Sequence, residues 1–131
     1  MKTASTKPHY QTYITSPEWR SHHPRWLKSV QYRCTFLPWL RIGDGKPYAI
    51  HHLHYRNLGN ERLIRDVLPV SKFAHEFIIH GLLSGGKAAG QQRRYPNLAQ
   101  KLVHAWMRLG LLLKGALLLG GGWWIFLRLV G

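Results

Sequence analysis

The chain is poor in acid and has almost no cysteine. Five Asp and Glu oppose nineteen Lys and Arg among 131 residues, a formal net charge of +14. A partner is therefore expected to be polyanionic: nucleic acid, an anionic lipid surface or an acidic protein face. The single cysteine, Cys34, excludes an internal disulfide and any cysteine-rich zinc knuckle completed within this chain. The first residues also lack the continuous apolar core of a signal peptide, so the basic body is expected on the cytosolic side.

Composition divides the chain into four segments, with room for one modest domain. Residues 1–15 are polar and Thr-rich, which predicts an arm without structure of its own. Residues 16–95 are the predicted domain, and 109–131 are apolar. Residues 96–108 have the spacing of an amphipathic helix, with Leu98, Leu102, Ala105 and Leu109 on one stripe. The expected architecture is a small α+β domain followed by one membrane helix.

Local signals place several elements within the domain. Ser16 and Pro17 are typical of a helix start, and Pro24 is expected to limit or break that helix. Two β-like runs, QYRCTFL and PYAIHHLHY, flank the Gly- and Pro-containing turn RIGDGKP and predict a hairpin. After a polar loop, the segment from Ser71 predicts a helix with Phe73 and Phe77 near one face. The order is strand, strand, helix.

The run LGLLLKGALLLGGGWWIFL, residues 109–127, has about the length needed to cross a hydrocarbon core. Its one charge, Lys114, is expected to extend back toward the headgroups, and Trp123 and Trp124 suit the opposite interface. All Lys and Arg except Lys114 and Arg128 precede the run, which favours a single-pass protein with its domain on the cytosolic side. The alternative is a buried core helix of a soluble protein.

Five of the nine histidines lie between Ile50 and His80. On a strand, His51 and His52 point to opposite faces, so they are expected to do different jobs. His75, on the following helix, could complete a metal site with His51, and Asp66 could orient an imidazole or bind the ion. A metal beside a phosphate, with a neutral histidine to deprotonate water, is a hydrolytic design.

The segments SPEWR, YRC, IHHLHYRNLGNE, DVLPV and AHEFIIHG, in this order, resemble the HNH endonuclease family between about Tyr13 and Gly81. The resemblance implies a ββα-metal fold that binds a single divalent ion, Mg²⁺, Mn²⁺ or Zn²⁺. It implies metal ligands at His51 and His75, a water-activating base at His52, and Asp66 as the residue that orients this base.

Two departures separate the chain from that family's pattern. Close relatives carry four cysteines that bind a zinc ion; the corresponding positions here are Cys34, Leu37, Ser71 and Ala74. The family's second helical histidine usually follows the first by four residues, whereas His80 follows His75 by five and is expected to point roughly 100° away. A bulge, a water or Glu76 could compensate.

Two functions remain open from the sequence. One is a membrane-anchored, basic, HNH-derived and non-catalytic accessory or assembly subunit of a larger membrane protein complex. Its partner helices are expected to pack on the small residues of 109–127. The other is a tail-anchored, metal-dependent nuclease that cleaves DNA. Membrane lipid is a partner in both. GLLSGGKA lacks the Ser or Thr and the preceding strand of a phosphate-binding loop. Lys87, Arg93 and Arg94 predict a basic surface for phosphates or an acidic partner, and His54 and His104 are expected to be surface or satisfied histidines.

Overall fold

The computed structural model describes residues 7–84 and 98–130. It has a mixed α+β architecture, as predicted, with one two-stranded antiparallel sheet in the described residues. The elements in chain order are α1 (Lys7–Ile14), α2 (Pro17–Ser29), β1 (Tyr48–His52), β2 (Val67–Ser71), a π-helix (Ala74–Ile79), a 3₁₀ turn (Leu82–Ser84), α3 (Leu98–Arg108) and α4 (Leu111–Val130).

The described part of the N-terminal arm is helical, which differs from the expected unstructured segment. Helix α1 packs on the domain through Tyr13, whose side chain is buried. The Tyr13 hydroxyl donates a hydrogen bond to Glu61 Oε2 at 2.8 Å. A long-range bond to a buried carboxylate anchors the end of α1, and this contact cannot be seen in the local sequence pattern.

Helix α2 begins as predicted but does not break. Ser16 Oγ accepts a hydrogen bond from the Trp19 backbone N–H at 3.2 Å, and Pro17 occupies the first turn. The helix then continues through Pro24 to Ser29. Proline inside a helix costs about 3 kcal/mol or more. The buried face formed by Trp19, Trp26 and Leu27 offsets this cost.

The hairpin pairs different segments from those predicted. Strand β1 pairs with β2, with His51 opposite Leu68 and His52 opposite Val67. The predicted partner, residues 31–37, is not a strand: Gln31 and Tyr32 have positive φ angles of 55° and 54°, which are incompatible with an extended chain. Only an isolated bridge between residues 33 and 41 remains there.

The four positions that correspond to the zinc cysteines of the resembled family lie together in the core. The backbone N–H groups of Ser71 and Leu37 donate to Cys34 Sγ at 3.2 and 3.3 Å. The backbone N–H of Ala74 donates to Ser71 Oγ at 3.1 Å. Hydrogen bonds and apolar contacts therefore join the hairpin to the π-helix at this place.

Helix α3 packs with a different face from the one its spacing suggested. Met107 is buried, Val103 and Trp106 pack against the core, and Trp106 Nε1 donates to Phe36 O at 2.8 Å. Leu98 and Leu102 are exposed. Phe73 and Phe77 lie near one face of the preceding helix, as predicted, with their rings stacked, and both are exposed.

Helix α4 is long and apolar enough to cross a membrane, and Lys114 is its one buried residue. Trp123 and Trp124 are both exposed near its far end. Lys114 does not extend toward headgroups as expected. Its ammonium is buried in the domain, donating to Thr35 O at 2.6 Å and Met107 O at 3.1 Å. The first turns of α4 are therefore bonded to the core.

Candidate metal centre

Strand β1 carries two buried histidines whose surroundings differ. His51 is 6% exposed and His52 is 7% exposed. The His51 ring lies 5.6 Å from those of His75 and His80, whereas the His52 ring stacks on Trp19. This separation follows from the alternation of side chains along a strand.

The π-helix brings His75 and His80 into phase. In a π-helix the backbone bonds residue i to residue i+5, one residue more than in an α-helix. His80 N–H donates to His75 O at 3.0 Å, so the two residues lie one turn apart. Their Nε2 atoms are 3.1 Å apart and their ring centroids 4.4 Å apart. The expectation that His80 points away was wrong, because it assumed α-helical geometry.

Gly81 permits this turn. A Cβ atom at Gly81 would lie 2.3 Å from the Phe77 carbonyl oxygen and 3.2 Å from that of Glu76. No residue with a side chain fits there unless the backbone shifts. The extra residue that appeared to put the histidine pair out of register is thus accommodated by a π turn ending at a glycine.

Three histidines form a cluster that can hold a metal ion. One ligand nitrogen from each of His51, His75 and His80 lies within 4.8 Å of those of the other two. Imidazole nitrogen favours Zn²⁺, Cu²⁺, Ni²⁺ and Fe²⁺, whereas Mg²⁺ favours oxygen ligands. The donor set therefore suits a transition metal, and Zn²⁺ fits better than Mg²⁺ among the ions considered above.

A fourth histidine joins the cluster from α3. His104 Nε2 lies 3.1 Å from His51 Nε2, and the two rings are 5.2 Å apart. His104 is a satisfied histidine, one of the two expected states, but its partner His51 was not predicted, because His104 follows the histidine-rich stretch by a long interval. Its position three residues before the buried Met107 places both on the packed side of α3, and this spacing was the available signal.

The surroundings of the cluster favour the neutral form of each imidazole. Burial lowers the pKa of His51 well below its ordinary range, and the neighbouring histidines lower it further. Burial, followed by neighbouring charged groups, lowers the pKa of His75 and of His104 to about 4, and burial lowers the pKa of His80 as well. A histidine binds a metal ion only in its neutral form. Because these pKa values are low, each imidazole is neutral near neutral pH and has one nitrogen free to bind an ion.

His52, the base implied by the resemblance, is enclosed by aromatic rings. Its imidazole stacks on Trp19, with centroids 4.9 Å apart, and on Tyr55, with centroids 5.2 Å apart. Its Nε2 lies 3.3 Å from Glu61 Oε1. Burial lowers the pKa of His52, and the Glu61 carboxylate partly opposes this effect. Both the stacking and the hydrogen bond hold the ring inside the domain.

Asp66 does not orient His52 in this structure; Glu61 holds that position. The Asp66 carboxylate accepts hydrogen bonds from the Arg62 N–H at 2.8 Å and from Asn57 Nδ2 at 3.1 Å, and its Oδ1 lies 3.0 Å from His54 Nε2. Burial raises the pKa of Asp66, but these hydrogen bonds lower it to below its ordinary value. Asp66 thus stabilises the loop between the strands. The resemblance instead assigned Asp66 to the orientation of the catalytic base.

The predicted basic surface, Lys87, Arg93 and Arg94, lies outside the described residues. Within the described residues, the His54–Asp66 pair borders an open cleft. Arg56, Arg65 and Arg108 line the same cleft and make it basic.

Comparisons with protein families, with curated proteins and with solved structures give no match to this chain.

Proposed function

We propose that this chain is a membrane-anchored, HNH-derived basic accessory subunit of a larger membrane protein complex, and that it is not a catalyst. The observation that carries the proposal is the exposure of α4. A core helix of a soluble protein is mostly buried, whereas Lys114 is the one buried residue between Leu111 and Val130. An exposed apolar helix of this length requires lipid or other membrane helices around it.

The charge distribution supports the orientation of the anchor. Nearly all the basic residues precede α4, which favours a domain on the cytosolic or equivalent side. At the other end, the Arg128 guanidinium lies 5.0 Å from the centre of the Trp124 ring. Aromatic and basic side chains are enriched where a membrane helix meets the interface.

Two further features support a docking role. The small residues Gly115, Ala116 and Gly120–Gly122 allow close approach of another helix. Apart from the adjacent residues and the nearby helix backbone, no atom lies within 4 Å of where a Cβ would be at these glycines. On the domain, Phe73 and Phe77 stack on each other while both remain exposed. Exposed large apolar side chains are typical of surfaces that contact a partner.

The surroundings of His52 support a non-catalytic domain. A general base must reach a water beside the metal. His52 is buried between two aromatic rings and bonded to Glu61, on the opposite side of β1 from His51. In this proposal the domain holds one divalent ion, of the Zn²⁺ class, through His51, His75 and His80, and the ion stabilises the fold.

The second candidate function is a tail-anchored, metal-dependent HNH endonuclease. The convergence of His51, His75 and His80 favours it, since three histidine ligands leave a coordination position for water or phosphate. DNA phosphates would contact the basic surface.

A DNA cleavage assay separates the two functions, and two membrane fractionation tests accompany it. The full chain, purified in mild detergent, is incubated with plasmid DNA and Zn²⁺, Mn²⁺ or Mg²⁺ beside a His52→Ala variant. We expect no cleavage by either protein, and co-migration of the wild-type chain with other membrane proteins after gentle extraction. Cleavage by the wild type alone would establish the nuclease and refute the proposal, as would migration of the chain only by itself. Release by alkaline carbonate would refute the membrane anchor.

A further inference from the structure

The histidine cluster contains a fourth imidazole that the resemblance to the HNH family does not supply. His104 comes from α3, which lies beyond the segment that carries the resemblance. Its Nε2 is 3.1 Å from that of His51, one of the three histidines that can hold an ion. A ligand set of three histidines and one of four predict different chemistry, so the position of His104 matters for function.

Two of the nitrogen–nitrogen distances within the cluster match those of a tetrahedral site. With metal–nitrogen bonds of 2.0–2.1 Å, two ligands of a tetrahedral ion lie about 3.3 Å apart. The Nε2 atoms of His51 and His104 are 3.1 Å apart, and those of His75 and His80 are also 3.1 Å apart. These two pairs match two edges of a tetrahedron. The ligand nitrogens of His51, His75 and His80 lie within 4.8 Å of one another, and His104, which contacts this group through His51, completes the tetrahedron by turning toward the ion.

We infer that His104 is the fourth protein ligand of a closed, four-histidine transition-metal site of the Zn²⁺ class. The inference rests on the metal site of the proposed function and makes it more specific. Structural zinc sites have four protein ligands, whereas catalytic sites retain a position for water. With His104 bound, no position remains for a hydrolytic water. Both imidazoles are neutral, so the ring that donates its Nε2–H to the other moves this proton to its own Nδ1, and both Nε2 atoms are then free to bind the ion.

The fourth ligand also links the parts of the molecule. His51 lies on β1, His75 and His80 are on or next to the π-helix, and His104 is on α3. Helix α3 leads through Gly110 directly into α4. The metal therefore cross-links the hairpin to the helix that precedes the membrane segment. This role differs from catalysis, because it stabilises the orientation of the anchor relative to the domain.

Cobalt spectroscopy tests the fourth ligand. Co²⁺ is added to the full chain in mild detergent, and the visible absorption of tetrahedral Co²⁺ is recorded with and without azide. We expect azide to leave the wild-type spectrum unchanged, because the site is closed. In His104→Ala, we expect Co²⁺ to bind at least about tenfold more weakly, azide to shift the spectrum, and added imidazole to reverse the azide effect. His54→Ala removes a histidine that pairs with Asp66 instead, and should match the wild type.

The outcomes are distinguishable. If azide shifts the wild-type and His104→Ala spectra alike, His104 is not a ligand, while a three-histidine site survives. If Co²⁺ binds none of the proteins, both the fourth ligand and the metal site of the proposed function are refuted. Hydrogen exchange provides a second measurement: metal should slow exchange of α3 amides in the wild type and not in the variant. Equal slowing in both proteins would contradict the cross-link even if the variant were less stable.

Discussion

The buried ammonium of Lys114 leads to a quantitative prediction for Lys114→Met. Methionine keeps an unbranched apolar stem but cannot donate to the carbonyl oxygens of Thr35 and Met107, which the ammonium reaches at 2.6 and 3.1 Å. Hydrogen bonds from a charged group contribute about 1.5–3 kcal/mol each. The variant has no ammonium to remove from water on folding, which offsets part of this loss. We expect the free energy of unfolding of the domain to fall by about 2–4 kcal/mol.

The assay is urea unfolding of the full chain in mild detergent, followed by tryptophan fluorescence. Trp106 is a useful reporter, because Lys114 Nζ lies 5.8 Å from the centre of its ring. The matched control is Arg128→Met, which removes one positive charge from the same helix at an exposed site. We expect the control to lose no more than about 1 kcal/mol, the usual contribution of an exposed cation–π pair.

A second measurement distinguishes the local effect of losing the Lys114 hydrogen bonds from a general loss of stability. In Lys114→Met, amides in the first turn of α4, including the Lys114 N–H bonded to Gly110 O, should exchange faster than in the control. If Lys114→Met unfolds at the same urea concentration as the wild type and its first turn is equally protected, the reasoning fails. Lys114 would then lie in solvent or headgroups, as the sequence alone suggested.

Three further predictions concern the domain. Gly81→Ala places a methyl group against the Phe77 carbonyl and should abolish the π turn, weakening Co²⁺ binding at least about tenfold; unchanged binding would contradict the role of the turn. Cys34→Ala removes the acceptor of two backbone N–H groups and should cost about 1–3 kcal/mol in urea unfolding, whereas a loss below about 0.5 kcal/mol would show that the sulfur is dispensable. Chelator-treated protein should lose stability from about pH 6.5 down to about pH 4, because the unfolded chain then binds more protons than His75 and His104 do in the fold. After allowance for their partial exposure, each should contribute about 1–2 kcal/mol, and a flat stability profile over this range would refute buried neutral histidines.

The sequence predicted the elements that depend on local signals. Ser16 and Pro17 begin a helix because capping and proline geometry act within one turn. The length of the apolar run predicted α4, since composition alone decides it. The opposite orientation of His51 and His52 followed from the period of a strand.

The remaining features depend on contacts between distant segments. VLPVS is a short, wholly buried run, so periodicity does not separate a strand from a helix there, and its pairing with β1 is a tertiary contact. The π-helix depends on the close approach of Gly81 to the Phe77 carbonyl. His104 reaches His51 because α3 packs across the domain, and Glu61 takes the position beside His52 for a similar reason.

The hydrogen bonds of Lys114 limit how far the domain can move relative to α4. A domain on a flexible tether samples a large volume, and its encounters depend on tether length. Here the ammonium at the start of α4 is bonded to backbone carbonyls of the domain, so the domain does not move freely relative to α4. When α4 lies in a bilayer, the domain keeps one height and one tilt above it. Its search for a partner is then two-dimensional, by diffusion in the plane of the membrane.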